Sequence, residues 1–507
     1  MTLTSFNFLC FFAVLFVLYY LVPHKAQNAL LLLANAVFCY FAGGIYLVLF
    51  LSILTLITYF GAIIVERYKE GKKQTCVVII TVLICMTFLI ALKYVNFFIY
   101  TGNGLCSVFG GSYIWSPINI IAPLGISFFT LQLLGYFFDV QRQLHGAEKN
   151  ILKYFVFASF FPQIISGPIN KYSDMQPQLS EGRKFDYDEF KNGLLRMAWG
   201  FFKKLVISER MAVIVNAVYS DYHAYTGFYI VIATICFAVQ LYTDFSGYMD
   251  IALGAAQVLR IKMAENFQTP FFSRSISEYW RRWHITLGVW FKDYVFYPIL
   301  KSDLFVKIGN ISKKKLGKKR GKKVPTYIGM VVLWFLTGLW HGGSWNFIIG
   351  SGLLHCFYIV GGQLLEPVFE RMRVLFRVNT EWFGYRLFQI IRTFILVCIG
   401  FVFFRAASLT DGIKMLGNIF TFDISVFKPD NFFALGLSFS DLIVALVSLL
   451  VLFAVSLIKE KTDVRELLSK QNIVIRWGVY YALIFAIIIF GYYGLGFNVG
   501  DFIYQQF

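Results

Sequence analysis

Residues 336–347 read LTGLWHGGSWNF, which sets an ionisable imidazole, His341, between Trp340 and the glycines Gly342 and Gly343 inside an apolar run. A neutral imidazole with a reference pKa of about 6.5 can take a proton from a hydroxyl nucleophile, so the residue type points to general-base chemistry. The two glycines permit close backbone approach and leave room for a ligand beside the ring. Of the six histidines, His24, His145 and His223 fall in short loops and read as solvated. His355, in GSGLLHCFYIV (350–360), reads as a satisfied packing histidine, leaving His284 and His341 as the two set among tryptophans.

His284 closes the block YWRRWH in FFSRSISEYWRRWHITLGVWFKDYVFYPI (271–299). Ser275 and Glu278 have capping-box spacing, which starts a helix near residue 276, and Glu278 to Arg282 is a favourable i,i+4 ion pair. At helical periodicity Trp280, His284, Leu287 and Phe291 then share one face. A basic aromatic helix lying in the membrane interface accounts for Arg281, Arg282, Trp280 and Trp283, and accounts less well for His284. Farther back, QLYTDFSGYMDIALG (240–254) places Asp244, Ser246 and Asp250 in an apolar helix. An intramembrane carboxylate marks function by default. Against that stands pairing of Asp244 with Lys or Arg on a neighbouring helix, or capping of a helix broken at Gly247.

The elements that position these residues are membrane helices. The 507-residue chain is 58% hydrophobic and 19% aromatic, with 15% charged residues and a mean hydropathy of +0.65, outside the range of soluble globular proteins. Apolar runs near 6–22, 28–42, 45–65, 76–100, 118–140, 193–219, 228–259, 328–342, 345–361, 386–404, 441–458 and 477–494 predict roughly eleven spans plus one or two re-entrant pieces. The fold class is therefore an all-α polytopic membrane protein. The first run has no basic n-region or small-residue cleavage site and reads as a retained helix. From residue 120 onward, APLGISFFTLQ (122–132) and FFPQIISGPINKYSDMQPQL (160–179) put Pro, Gly and Gln into apolar sequence. Non-helical backbone at that depth is tolerated where protein or a water-filled cavity satisfies it, so these stretches read as re-entrant segments around a cavity.

Lys and Arg give a net charge of +18 and cluster in 66–73, 141–153, 171–204, 260–262, 301–323, 371–377 and 459–476. These clusters read as cytoplasmic loops, with both termini outside. KKKLGKKRGKK (313–323) reads as a solvated loop near anionic headgroups, with attraction of an anionic thioester as the alternative. The eight cysteines form no C-x-x-C pair, so neither a zinc site nor a disulfide framework follows, and no metal is expected. No G-x-S-x-G, H-E-x-x-H or Walker A motif occurs, and the DYD at 186–188 reads as chance.

PLGISFFTLQ (123–132), FPQIISGPINKY (161–172), TDFSGYMDIALG (243–254), YWRRWHITLGVWFKDYVFYPI (279–299), WFLTGLWHGGSWNF (334–347), TFILVCIGFVFFRA (393–406) and FIYQQF (502–507) stand in an order that resembles the membrane-bound O-acyltransferase (MBOAT) family. The likeness is to its bacterial alginate O-acetylation type, which is related to the teichoic-acid D-alanylation type. That resemblance implies helices around a central funnel, with His341 as the catalytic histidine and His284 as the second active-site histidine. Lining of the substrate channel then falls to Trp280, Arg281, Arg282, Trp283, Trp340, Gly342, Asn346, Asp244, Ser246, Gln163 and Pro168. The organisation expected is N-terminal helices (1–110), a catalytic core (111–365) carrying the basic insertion 301–323, and C-terminal helices (366–507).

The resemblance further implies a multi-pass protein of the bacterial cell membrane that passes an acyl group, acetyl first among the candidates, from a cytoplasmic thioester to an extracytoplasmic polysaccharide hydroxyl. No bound cofactor is expected; the donor is acetyl-CoA or an acyl-carrier-protein thioester. The implied partners are an SGNH-type acyltransferase outside the cell or a polysaccharide synthase complex, an acyl carrier protein, and membrane lipid, with no nucleic acid. D-alanyl transfer to teichoic acid is the nearest alternative. A transporter subunit, motivated by Asp244, Asp250 and Lys93, is the rival from another class, although the paired repeats of transporters are not evident.

Overall fold

A computed structural model describes residues 1–112, 115–120 and 122–493; the FIYQQF block lies outside the described residues. Among those residues the chain is helical, and its one strand-like feature is an isolated antiparallel bridge between Phe267 and Trp283. Among the described residues, eight helices are long and apolar enough to cross a membrane: His24–Arg67, Lys72–Val108, Phe228–Val258, Val324–His341, Trp345–Leu375, Phe383–Arg405, Phe439–Lys459 and Ile473–Phe490. The runs expected at 28–42 and 45–65 are the two halves of His24–Arg67, which kinks where Gly43 and Gly44 leave helical backbone angles. Those at 6–22 and 118–140 form the sixteen-residue helices Phe6–Leu21 and Ile126–Gln141. Ile473–Phe490 has no buried residue and, Arg476 in its first turn apart, is apolar all round, as a helix solvated by lipid is.

The chain divides into two compact units. The first comprises Met1–Phe201 and Gly247–Ala264. In it the helix Ile126–Gln141 is buried along almost its whole length and packs against His24–Arg67. Where the sequence suggests re-entrant segments, the helix breaks between Ile151–Ser159, Phe161–Ile164 and Tyr172–Ser180, with residues 160–170 buried throughout. The backbone there is satisfied by side chains: Asn35 accepts from the Phe161 N–H at 3.0 Å, and Gln163 donates to the Phe157 carbonyl at 2.6 Å. Gly125 starts the Ile126 helix at φ 72°, and a Cβ there would lie 2.2 Å from the Ile164 carbonyl oxygen, so glycine is required on both counts.

Among the described residues the second unit comprises Phe202–Ser246 and 265–493. It opens with a π-helical stretch, Phe202–Ser208, whose residues are all buried. Lys203 and Lys204 lie in it and are each 3% exposed, which corrects their assignment to a cytoplasmic basic loop. Their charges are compensated locally, and that compensation is what lets them sit in apolar sequence. The basic run 313–323 is likewise not a loop for most of its length. Asp303–Gly321 is helical with a kink at Gly317, and its lysines project from the packed core.

Candidate active site

The helix begun by Ser275 forms as its capping box dictates: Ser275 Oγ accepts from the Glu278 N–H at 3.2 Å, and Arg282 pairs with Glu278 at 2.9 Å. It then stops at Arg282, seven residues long. Trp283 is extended, His284 adopts φ 47° and ψ 51°, and a new helix runs Ile285–Phe291. The single face expected to carry Trp280, His284, Leu287 and Phe291 therefore does not exist. The cause is tertiary: the Gln268 N–H donates to the Arg282 carbonyl at 2.9 Å, and the Ile285 N–H donates to the Asn266 carbonyl at 3.1 Å. These bonds take over backbone groups that a continuous helix would have used. A non-glycine residue in the left-handed region is strained, and such residues concentrate at functional sites.

Asn266, fully buried, locks the imidazole. Its Oδ1 accepts from the Thr286 N–H at 3.1 Å and from Thr286 Oγ1 at 3.0 Å, and it lies 3.3 Å from His284 Nδ1. A backbone N–H can only donate, so that atom of Asn266 is the oxygen and His284 Nδ1 carries the proton. The lone pair is then on His284 Nε2. Burial first, and the neighbouring His341 ring second, hold the conjugate acid of His284 well below the usual histidine range.

His341 is the last residue of Val324–His341 and is 2% exposed. Its Nδ1 donates to the Thr337 carbonyl at 2.8 Å, one helical turn back, which places the lone pair on Nε2. Trp340 lies between the two histidines, with ring centroids 5.3 Å from His341 and 5.6 Å from His284. Phe245 meets His284 edge-on at 4.9 Å, Phe404 meets His341 at 5.8 Å, and Trp280 lies 6.4 Å from His341. The two imidazoles, each with Nδ1 held in a hydrogen bond, thus share one aromatic enclosure. Gly342 has a different use from the one its sequence suggested: a Cβ there would fall 2.4 Å from the Phe347 ring, so its space is occupied by Phe347 rather than left open.

The other expected lining residues separate into groups. Trp283, 2% exposed, stacks on Tyr279 at 5.6 Å and packs edge-on against Phe267 at 5.0 Å. Arg281 is exposed, whereas Arg282 also reaches Glu460. The Asn346 amide donates to the carbonyls of Phe403 and Ala406 at 3.2 and 3.0 Å, closing the end of the Phe383–Arg405 helix. Gln163 and Pro168 belong to the first unit, where Asn170 donates to the Gln163 Oε1 at 2.8 Å and to the Pro168 carbonyl at 3.2 Å.

Asp244 pairs with a cation, as the structural reading required. Lys204 Nζ lies 2.7 Å from Asp244 and 2.6 Å from Glu209, all of them buried, and Lys203 donates to Ser246 Oγ at 2.8 Å. Asp250 pairs with Arg196 at 2.9 Å within the first unit. Sequence reasoning missed three residues that matter here: Asn266, Lys203 and Lys204. For the lysines a signal exists, since GFFKKLVIS (200–208) encloses two charges in apolar residues, as QLYTDFSGYMDIALG (240–254) encloses Asp244. No cluster of His, Cys, Asp and Glu suited to a metal occurs among the described residues.

Comparison with known proteins gives a consistent picture. The family model described as MBOAT, membrane-bound O-acyltransferase family, matches residues 40–309. The "Probable alginate O-acetylase AlgI" of Pseudomonas syringae pv. tomato is 29% identical over 454 residues, covering 89% of this chain and 81% of that protein. The protein of the same name from Azotobacter vinelandii is 31% identical over 428 residues, covering 83% and 78%. A "Peptidoglycan O-acetyltransferase" of Helicobacter pylori is 28% identical over 441 residues, covering 80% and 77%.

Proposed function

The chain belongs to the membrane-bound O-acyltransferase family and is a multi-pass O-acyltransferase of the bacterial cell membrane, and on that premise we propose that it moves an acetyl group from a cytoplasmic thioester to an extracytoplasmic polysaccharide hydroxyl. The observation that carries the reading is His341: a buried imidazole at a helix end whose Nδ1–H is fixed on the Thr337 carbonyl, so that Nε2 is the base. Acetyl, rather than D-alanyl, rests on relatives whose names state O-acetylation.

In this reading the acceptor oxygen attacks the thioester carbonyl carbon while His341 Nε2 takes the hydroxyl proton. The new C–O bond forms as the carbonyl π pair moves onto oxygen. The intermediate collapses with cleavage of the C–S bond, and the departing sulfur receives the proton held by His341. His284, Trp280 and Trp340 enclose the reacting groups and exclude water, which keeps the thioester from hydrolysis. Holding both reactants in one dry enclosure supplies much of the acceleration. The exposed lysines of Asp303–Gly321 favour the approach of an anionic donor, either acetyl-CoA or an acyl-carrier-protein thioester. The sequence has no G-x-S-x-G serine, which fits delivery of the acetyl group to a partner outside the cell, of SGNH type or within a polysaccharide synthase complex.

The test uses everted membrane vesicles supplied with radiolabelled acetyl-CoA on the outer, originally cytoplasmic face. Alkali-labile label in the lumen, present with the wild-type chain and absent with His341→Ala at equal abundance, is the expected result. Label that reaches the lumen equally with both chains overturns the role given to His341.

A further inference from the structure

His355, which reads from sequence as a satisfied packing residue, is not satisfied. It is 3% exposed, and its Nδ1 is buried with no hydrogen-bond partner on the protein. The indole Nε1 of Trp280 is in the same condition. The two rings are neighbours, 5.1 Å between centroids and crossed at 85°. Native structures leave few buried polar atoms unbonded, and each one calls for an explanation. Two on adjoining rings, beside the candidate base, call for a common one.

The surroundings hold His355 in place without bonding it. Trp334 stacks on it at 6.0 Å and Tyr358 meets it edge-on at 6.0 Å. Its Nε2 edge lies against Gly400, where a Cβ would come within 2.9 Å. Trp280 in turn touches the His341 ring at 6.4 Å, so a single indole adjoins both imidazoles. Apolar rings of the same shape would pack as well and cost less, because an indole N–H and an imidazole N–H are retained at depth only where something accepts from them. One oxygen that accepts two bonds of about 2.9 Å needs donor nitrogens less than about 6 Å apart, and the ring separation has that scale.

We propose that Trp280 Nε1–H and His355 Nδ1–H together bind the carbonyl oxygen of the acyl thioester and stabilise the negative charge that develops on it. This rests on the acyl-transfer reading above and adds to it an electrophile site that neither His341 nor His284 provides. When the acceptor oxygen bonds to the carbonyl carbon, the π pair moves to the carbonyl oxygen, and the two N–H groups meet that oxyanion in a water-free setting. When the C–S bond breaks, the pair returns to re-form the carbonyl of the ester. Neither nitrogen gains or loses a proton over the cycle; His341 alone carries it. Donors fixed in advance at the place where charge appears are worth most where dielectric is low.

The experiment compares Trp280→Phe, His355→Leu and His355→Gln with wild type in the vesicle assay, at equal abundance and equal gel-filtration profile in detergent. Trp280→Phe keeps an aromatic ring and loses the N–H; His355→Gln keeps a donor, and His355→Leu does not. Loss of one such donor lowers the rate by about a hundredfold or more. The expected result is that fall for Trp280→Phe and His355→Leu, with His355→Gln clearly above His355→Leu. Activity within twofold of wild type for Trp280→Phe, or equal activity for the Gln and Leu variants, overturns the proposal. Absence of His341-dependent transfer in the wild-type chain sinks the acyl-transfer reading itself, and the two failures are therefore distinct. If Leu and Phe misfold, the comparison of His355→Gln with His355→Met decides it, since both side chains are flexible and only one donates.

Discussion

Replacing His284 by Gly, Ala and Val separates what its backbone does from what its imidazole does. The residue sits at φ 47°, a conformation that costs a non-glycine residue about 1–2 kcal/mol. Glycine avoids that strain and gives back part of the gain, about 0.5–1 kcal/mol, through the greater freedom of the unfolded chain. The Gly variant is thus expected to be more stable than the Ala variant by about 1 kcal/mol, roughly fivefold in the folded-to-unfolded ratio. Valine, β-branched, is expected to fall below both. All three lose the edge-on contacts with Phe245 and Trp340 and the bond to Asn266. At about 0.5–1.5 kcal/mol per ring contact and about 1 for the bond, this places every variant roughly 2–4 kcal/mol below wild type before the backbone term is added. The assay is the fraction of chain that remains monodisperse in detergent after graded heating, followed by fluorescence. The predicted order is wild type, Gly, Ala, Val, with acyl transfer lost in all three variants. An Ala variant as stable as the Gly variant would refute the helix break at His284, and retained transfer in the Gly variant would remove the imidazole from the chemistry.

Two further perturbations probe the supports of the site. Lys204→Met takes away the cation shared by Asp244 and Glu209 and is expected to cost about 3–5 kcal/mol, read as loss of membrane abundance; Asp244→Asn, whose oxygen can still accept from Lys204, is expected to cost less. Equal abundance of Lys204→Met and wild type would contradict the buried triad. Gly342→Ala drives a methyl into the Phe347 ring and is expected to cost about 1–3 kcal/mol, with Gly342→Ala/Phe347→Leu recovering abundance; no recovery would mean that the ring is not what excludes the methyl.

Helices were legible because apolar runs and capping signals are local. Ser275 and Glu278 start a helix where their spacing says, and the Gly43–Gly44 pair separates two helical halves where the sequence reads AGG. What was not legible depends on partners far along the chain. The i,i+4 pair Glu278–Arg282 argues for an unbroken helix through His284, and the bonds that break it come from residues 266–268, which carry no periodic signal. Lys203 and Lys204 follow a stretch rich in Lys and Arg and so look like part of a loop; Asp244, Glu209 and Ser246, which offset their burial, lie elsewhere in the chain. Residue type and setting mark His341 and His284 as candidates, yet they do not show which ring nitrogen of each carries the proton, because that is fixed by the Thr337 carbonyl and by Asn266. His355 was misjudged for the same reason: packing histidines normally find a partner, and whether this one does is a property of the fold rather than of its neighbours in sequence.

The central claim, that His341 is the base of an acyl transfer to a surface polymer, is tested most directly by the content of alkali-releasable acetyl on the cell-surface polysaccharide in cells carrying His341→Ala or wild type at equal membrane abundance. Loss of those esters with an unchanged gel-filtration profile of the variant is the result predicted. Acetyl content equal to wild type would contradict it.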